Sequence, residues 1–205
     1  MTLVNFIDYL DYLAESAANT VATNEEGAIV SLDSAVDSLV ADLDKVSKSK
    51  TQKIVFVGNG GSAAIASHCA VDYQKNGGIR SLAMNDSSML TCLSNDYGYE
   101  FCFSKQLEFH GQEKDLLFAI SSSGESQNII NAVERAKRND MYVITLSGFS
   151  PQNRLRQSGH LNFFVNSHMY GPVEITHLTI IHALLDLFMI KNGLVPKIQI
   201  RSKSQ

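Results

Sequence analysis

Two runs of β-forming residues in this chain each end in a loop of Gly, Ser and Asn that leads straight into a helix pattern. Ile54-Val55-Phe56-Val57 is followed by Gly58-Asn59-Gly60-Gly61-Ser62, and Leu116-Leu117-Phe118-Ala119-Ile120 by Ser121-Ser122-Ser123-Gly124-Glu125-Ser126. Short, wholly apolar strands of this kind belong in a parallel sheet covered on both faces. Glycines let the backbone approach an anion, serines supply hydroxyl donors, and the following helix points its free N–H groups at the same spot. Each loop therefore reads as a phosphate cradle, the plain alternative being an ordinary strand-to-helix turn. Their occurrence as a pair favours the cradle, because ligands of open α/β sheets bind at the C-terminal ends of the strands. The first loop lacks the Lys-Ser/Thr ending of a nucleoside-triphosphate loop and the third glycine of a dinucleotide fingerprint. A monophosphate neutralised by hydroxyls and backbone dipoles suits it better.

At 205 residues the chain is expected to form one domain with a substantial core and an added helical layer. The formal net charge of −4 gives no electrostatic footprint for nucleic acid, so the anion site must be local. Cys69, Cys92 and Cys102 are odd in number and show no C-x-x-C spacing, which points to reduced thiols in a cytoplasmic protein. Asp8 and Asp11 interrupt the first helical pattern, and no uninterrupted apolar run is long enough to span a bilayer, so no membrane contact is expected.

Leu3, Ile7, Leu10, Ala14, Ala17 and Val21 recur at helical spacing, as do Leu32, Val36, Leu39, Leu43 and Val46. These are two amphipathic helices ahead of any strand, with Thr23 to Gly27 as the break. Strands near 54–57, 81–84, 116–120, 142–147 and 161–165 then alternate with helices near 62–75, 88–95, 100–110, 126–139 and 173–191. The pattern is a three-layer α/β/α sandwich with a five-stranded, mainly parallel sheet, preceded by two N-terminal helices. Residues 1–48 are assigned to oligomerisation, 53–192 to the α/β core and 193–205 to a tail, polar and basic from Ile198 onward. The last helix is apolar around nearly its whole circumference and must be buried in the sheet layer or against another subunit. Gly193 is its expected C-terminal stop.

Ionisable groups are concentrated in two of these helices. His68 and Asp72 lie four residues apart and face the same way, and Glu174, His177, His182 and Asp186 interrupt the apolar last helix. Burying such groups costs several kcal/mol each unless they are paired or bind a metal. Two His and two carboxylates make a sensible site for Zn²⁺ or an acid/base pair. Taken singly, His68 reads as a satisfied core or surface histidine, and His182 with Asp186 as a hydrogen-bonded helix pair without chemistry. Glu174 and His182 are separated by about 12 Å of helix rise, so one ion reaches both only at full extension or with help from a neighbouring subunit. His177 faces solvent or an interface on this reading and receives no role.

Taken together, Gly58-Asn59-Gly60-Gly61-Ser62, His68, Asn95-Asp96-Tyr97-Gly98, Ser121-Ser122-Ser123-Gly124 with Ser126, Val143 to Gly148 and His182 resemble the sugar isomerase (SIS) domain, and within it the phosphoheptose isomerase branch. The resemblance covers almost the whole chain as one SIS domain. It implies substrate contacts from Asn59, Gly60, Gly61, Asn95, Asp96, Ser121, Ser122, Ser123, Ser126 and Glu174. It also implies zinc ligands at His68, Asp72, Glu174 and His182, catalysis by Asp72 and His182, and a homotetramer with interfacial active sites. Two positions depart from the family pattern: Asp72 stands where a Glu is usual, and Glu174 where a Gln is usual. The activity implied is conversion of D-sedoheptulose 7-phosphate to D-glycero-D-manno-heptose 7-phosphate through an enediol, feeding heptose and surface polysaccharide biosynthesis. The rival readings are a non-catalytic tetramer that binds a protein partner such as the replication initiator, and an isomerase of another sugar phosphate.

Overall fold

Side chains of the central strands alternate between two cores. Ile54 and Phe56 of β3 (Ile54–Gly58) join Leu116, Phe118 and Ile120 of β5 (Leu116–Ser121) on one face, while Val55, Val57, Leu117 and Ala119 enter the other. Both faces are dry, which is why these strands read as continuous apolar runs. The first face is covered by α2 (Leu32–Lys48), α3 (Gly61–Lys75) and α7 (Tyr170–Lys191), through residues such as Leu39, Tyr73 and Leu184. The second is covered by α4 (Ser87–Tyr97), α5 (Cys102–His110) and α6 (Gln127–Arg138), through Leu93, Phe103 and Ile129. A single 3-10 turn, Tyr99–Phe101, joins α4 to α5. The computed structural model describes residues 5–195, so Leu3 and the basic tail Ile198 to Gln205 lie outside it.

The remaining strands are β4 (Ser81–Ala83), β6 (Tyr142–Ser147) and β7 (Leu161–Phe164), preceded by a hairpin of β1 (Val21–Asn24) and β2 (Ile29–Val30). The sheet order is β2-β1-β7-β6-β5-β3-β4, with β4, β3, β5, β6 and β7 all parallel. The five expected strands are thus present, but the sheet has seven. The first helix, α1, covers Phe6–Ala18 and stops before Val21, whose helical spacing from Ala14 and Ala17 hid its place in a strand. β1 pairs antiparallel with β7, and the buried Asn162 amide ties the two by donating to the Thr23 and Asn24 carbonyls at 3.3 and 3.4 Å. Residues 1–48 therefore contribute sheet as well as helices. α1 packs on α7 yet leaves Phe6, Ile7 and Leu10 exposed.

At the opposite end of the sheet, fully buried Asp115 accepts from the Lys53 and Gln112 backbone N–H groups, both at 2.9 Å, and from Lys53 Nζ at 2.5 Å. This one carboxylate fixes where β3 and β5 begin. Loss of either partner would strand the other charge in the interior, at a cost of about 3–5 kcal/mol.

By length and composition alone α7 matches a membrane-spanning segment, because Glu174, His177, His182, Asp186 and Lys191 are diluted by strongly apolar neighbours. In this fold Val173, Ile181, Leu184, Leu185 and Phe188 face the core. Gly193, with φ 71°, stops the helix as expected. His177 is completely buried instead of facing solvent, with Nε2 3.1 Å from the Ser147 carbonyl at the end of β6. Burial pushes its pKa down to about 4. The unfolded chain, with an ordinary imidazole, binds this proton below about pH 6.5, whereas the folded protein does so only below about pH 4. His177 should therefore subtract about 3 kcal/mol of stability as pH falls through that window. Denaturant unfolding at pH 7 and pH 4.5 measures the slope, and His177→Gln should remove most of it.

Candidate active site

β4 lies on one side of β3 and β5 on the other, so the winding of the sheet reverses between them. Such a reversal opens a crevice at the C-terminal ends of the strands. Gly58 sits opposite Ile120 in the ladder, and both Gly/Ser loops leave the sheet side by side at this point. They enclose a cleft of about 230 Å³, completed by Tyr170 and Glu174 from the first turns of α7.

The backbone of the first loop depends on glycine. Gly60, with φ 54°, is the N-cap of α3 and supplies no side chain, leaving the Gly61 and Ser62 N–H groups without a capping side chain. A Cβ on Gly61 would lie 2.5 Å from Glu174 Oε2, so that carboxylate rests directly on the start of α3. The positive end of the helix dipole favours it there. Glu174 is the one formally charged group lining the cleft.

In the second loop Ser121 Oγ donates to Ser126 Oγ at 3.3 Å and accepts from the Gly124 N–H at 3.2 Å. Ser123 Oγ accepts from the Glu125 N–H at 3.2 Å. Ser126 is the N-cap of α6 but makes no capping bond, so a second helix N-terminus is open here. Glu125 is turned away, its carboxylate receiving Arg154 Nε at 2.8 Å, which lowers its pKa and keeps its charge off the loop. Ser122 Oγ is buried and has no hydrogen-bond partner among the described residues. An orphaned hydroxyl beside the open N-terminus of α6 has the donor set a phosphate requires.

The Asn59 amide is held by two residues that the sequence reading did not single out. Asn59 Oδ1 accepts from Asn128 Nδ2 and from the Tyr99 hydroxyl, both at 2.8 Å, and Asn59 Nδ2 donates to Asn128 Oδ1 at 2.9 Å. The only sequence signal for Asn128 was a polar residue on the buried side of the first turn of α6. Tyr99 and Tyr170 carried none.

One helical turn, and then another, along α3 brings the ionisable group. His68 Nε2 is 3.3 Å from Asp72 Oδ2 and 3.2 Å from His182 Nε2 of α7, and His182 Nδ1 is 3.8 Å from Asp72 Oδ2. One ligand atom from each of the three lies within 4.8 Å of the others. Ligands at about 2.0–2.1 Å around a tetrahedral Zn²⁺ are separated by about 3.3 Å, so spacing and donor chemistry both fit that ion. Cys69, next to His68, is not a reactive thiol: burial and the nearby Asp72 raise its pKa to about 12. Glu174 is outside this group. Asn95 and Asp96 do not line the cleft; they lie on the exposed side of α4, with Asn95 Nδ2 donating to Asp96 Oδ1 at 2.9 Å. One chain thus brings together Asn59, Gly60, Gly61, Ser121, Ser122, Ser123, Ser126 and Glu174 in one place, and His68, Asp72 and His182 in another.

Residues 8–148 match the SIS domain family. Phosphoheptose isomerase of Photorhabdus laumondii is 39% identical over 155 residues, covering 73% of this chain and 78% of its own. Phosphoheptose isomerase 1 of Campylobacter jejuni is also 39% identical, over 67% of this chain and 77% of its own. Among solved structures, a phosphoheptose isomerase from Neisseria gonorrhoeae superposes with TM-score 0.72 at 29% identity, covering 89% of this chain and 95% of that one. One from Francisella tularensis gives TM-score 0.74 at 25% identity with the same coverage.

The orphaned hydroxyl yields a test with two opposite signs. Ser122→Ala removes a buried polar group without a partner, so the ligand-free protein should be unchanged or stabilised by about 1 kcal/mol. The same change should erase most of the rise in melting temperature that inorganic phosphate gives the unaltered protein. Thermal melts with and without phosphate read both effects.

Proposed function

The chain belongs to the SIS domain family, and from that membership and the geometry of the cleft we propose that it isomerises D-sedoheptulose 7-phosphate to D-glycero-D-manno-heptose 7-phosphate. The product supplies heptose for surface polysaccharide. The observation that carries this reading is the joining of two sites by one helix. The N-terminus of α3, with Glu174 seated on it, lines the same cleft as the serine loop, and His68 of the same helix lies about 10 Å of rise further on. That is of the order of an extended seven-carbon sugar with its phosphate.

In this reading the phosphate takes the hydroxyls of Ser121, Ser122, Ser123 and Ser126 and the first-turn N–H groups of α6. Asn59, Gly60 and Gly61 line the sugar with Glu174, and Asn95 and Asp96, which lie outside this chain's cleft, contact substrate only as part of a neighbouring subunit's site. Asp72 removes the C1 proton of the ketose and returns it to C2 through a cis-enediol. His182 gives a proton to O2 and takes one from O1, so that the C2 carbonyl becomes a hydroxyl and C1 becomes the aldehyde. His68, Asp72 and His182 would hold Zn²⁺ through one donor atom each, which leaves the second Asp72 oxygen and the second His182 nitrogen for the proton; Glu174 lies outside this group and would reach an ion only from a neighbouring subunit. Bound there, the ion supplies Lewis-acid polarisation of the sugar carbonyl.

Exposed Phe6, Ile7 and Leu10 on α1 support a homotetramer built through the N-terminal helices. The unpaired cysteines, two of them buried, fit a cytoplasmic enzyme.

Purified protein loaded with Zn²⁺ should convert sedoheptulose 7-phosphate to the aldose, followed by NMR of the anomeric protons. Elemental analysis should find about one zinc per subunit, lost in His68→Ala. Asp72→Asn should lower kcat by roughly 10³-fold, within the range for removal of a general base. An intact, metal-loaded oligomer that forms no aldose would overturn the proposal.

A further inference from the structure

The two phosphate-type loops come from different strands, and among the described residues one reciprocal side-chain hydrogen-bonded pair joins the first loop to the helix that follows the second. It is the reciprocal amide pair of Asn59, at the end of β3, and Asn128, in the first turn of α6. Asn128 is 3% exposed, its own Nδ2 also lies 3.8 Å from Cys102 Sγ, and Tyr99 closes the pair from the solvent side.

Counting donors and acceptors shows what this leaves free. An amide oxygen has two lone pairs and an amide nitrogen two hydrogens. Both lone pairs of Asn59 Oδ1 are taken, by Asn128 Nδ2 and by the Tyr99 hydroxyl, and one hydrogen of Nδ2 is taken by Asn128 Oδ1. One N–H remains, on a residue that lines the cleft.

We propose that Asn128 and Tyr99 are positioning residues that hold the Asn59 amide as a donor only, so that it recognises an acceptor oxygen of the substrate and turns away a hydroxyl presented as donor. The inference rests on the isomerase reading above. Within it, the oxygen facing Asn59 is one without a proton to give in the reactive state, a carbonyl, enediolate or phosphoryl oxygen. An amide free to rotate would offer its oxygen half the time and would lose this selection. Tyr99, a residue 55% exposed, acts from the rim and Asn128 from the interior.

A double-mutant cycle on kcat/KM for sedoheptulose 7-phosphate decides the matter. Asn128→Ala should lower kcat/KM by about 10- to 100-fold, the scale for a misplaced reacting group, and mainly through kcat. Tyr99→Phe, which removes one neutral hydrogen bond and no bulk, should lower it about 3- to 10-fold. In an Asn59→Ala background both effects should shrink to less than about twofold, because the residue they act through is gone. A merely structural role for Asn128 would instead leave its effect undiminished in that background, and this outcome would overturn the proposal. If the unaltered enzyme forms no aldose, the isomerase reading fails and crystal structures decide the inference. An Asn59 amide in the same orientation in Asn128→Ala and Tyr99→Phe as in the parent refutes it, and a rotated or split amide supports it.

Discussion

The parallel pairing of β3 with β5 is the constraint on which the rest of the molecule depends. These two strands are neighbours in the sheet although β4 and the three helices α3, α4 and α5 separate them along the chain, and their register sets Gly58 against Ile120. Because they run in the same direction, their C-terminal loops and the helices that follow open at one edge, with both helix N-termini toward the same small volume. The carboxylate of Asp115 anchors the other ends of the same two strands. A slip of one residue would turn every apolar side chain to the wrong core and carry the loops out of alignment. The cleft is therefore as well defined as the sheet itself.

The electrostatics of the cleft follow from how little charge it contains. No lysine or arginine lines it, and its one formal charge is the carboxylate of Glu174. Attraction for an anion has to come from oriented N–H groups and hydroxyls, which act at short range and depend on geometry. The neutralisation of Glu125 by Arg154 serves the same end, since an unpaired carboxylate in the second loop would oppose the phosphate. Glu174, seated on the start of α3, limits how closely a second anion can approach that helix. Under the proposed reading the phosphate then belongs at α6 and the neutral part of the sugar at α3.

Most of this was legible in the sequence where the chemistry is local. The strand-loop-helix junctions, the five parallel strands and the i, i+4 pairing of His68 with Asp72 follow from spacing alone, and the structure places them as read. What spacing could not reveal was long-range. Val21 to Asn24 prolongs a helical pattern and becomes a strand only because β7 offers it an edge. His177 reads as one more polar exception in an apolar helix, and its burial depends on a single carbonyl on a distant strand. Asn128 and Tyr99 lie 69 and 40 residues from Asn59, so nothing near that residue announces them. Asn95 and Asp96, named through the family resemblance, lie on the surface of the chain and outside the cleft.

The hairpin that lengthens the sheet also determines how copies of this chain can meet. Open sheets expose unpaired backbone groups along their outermost strands, which serve as templates for cross-chain ladder growth and aggregation. Here one border is β2, two residues long, and the other is β4, three residues long. Neither gives an incoming strand enough rungs to hold. Any self-association is thereby left to helix surfaces, and a chain rich in β-forming sequence is kept from polymerising through its own sheet.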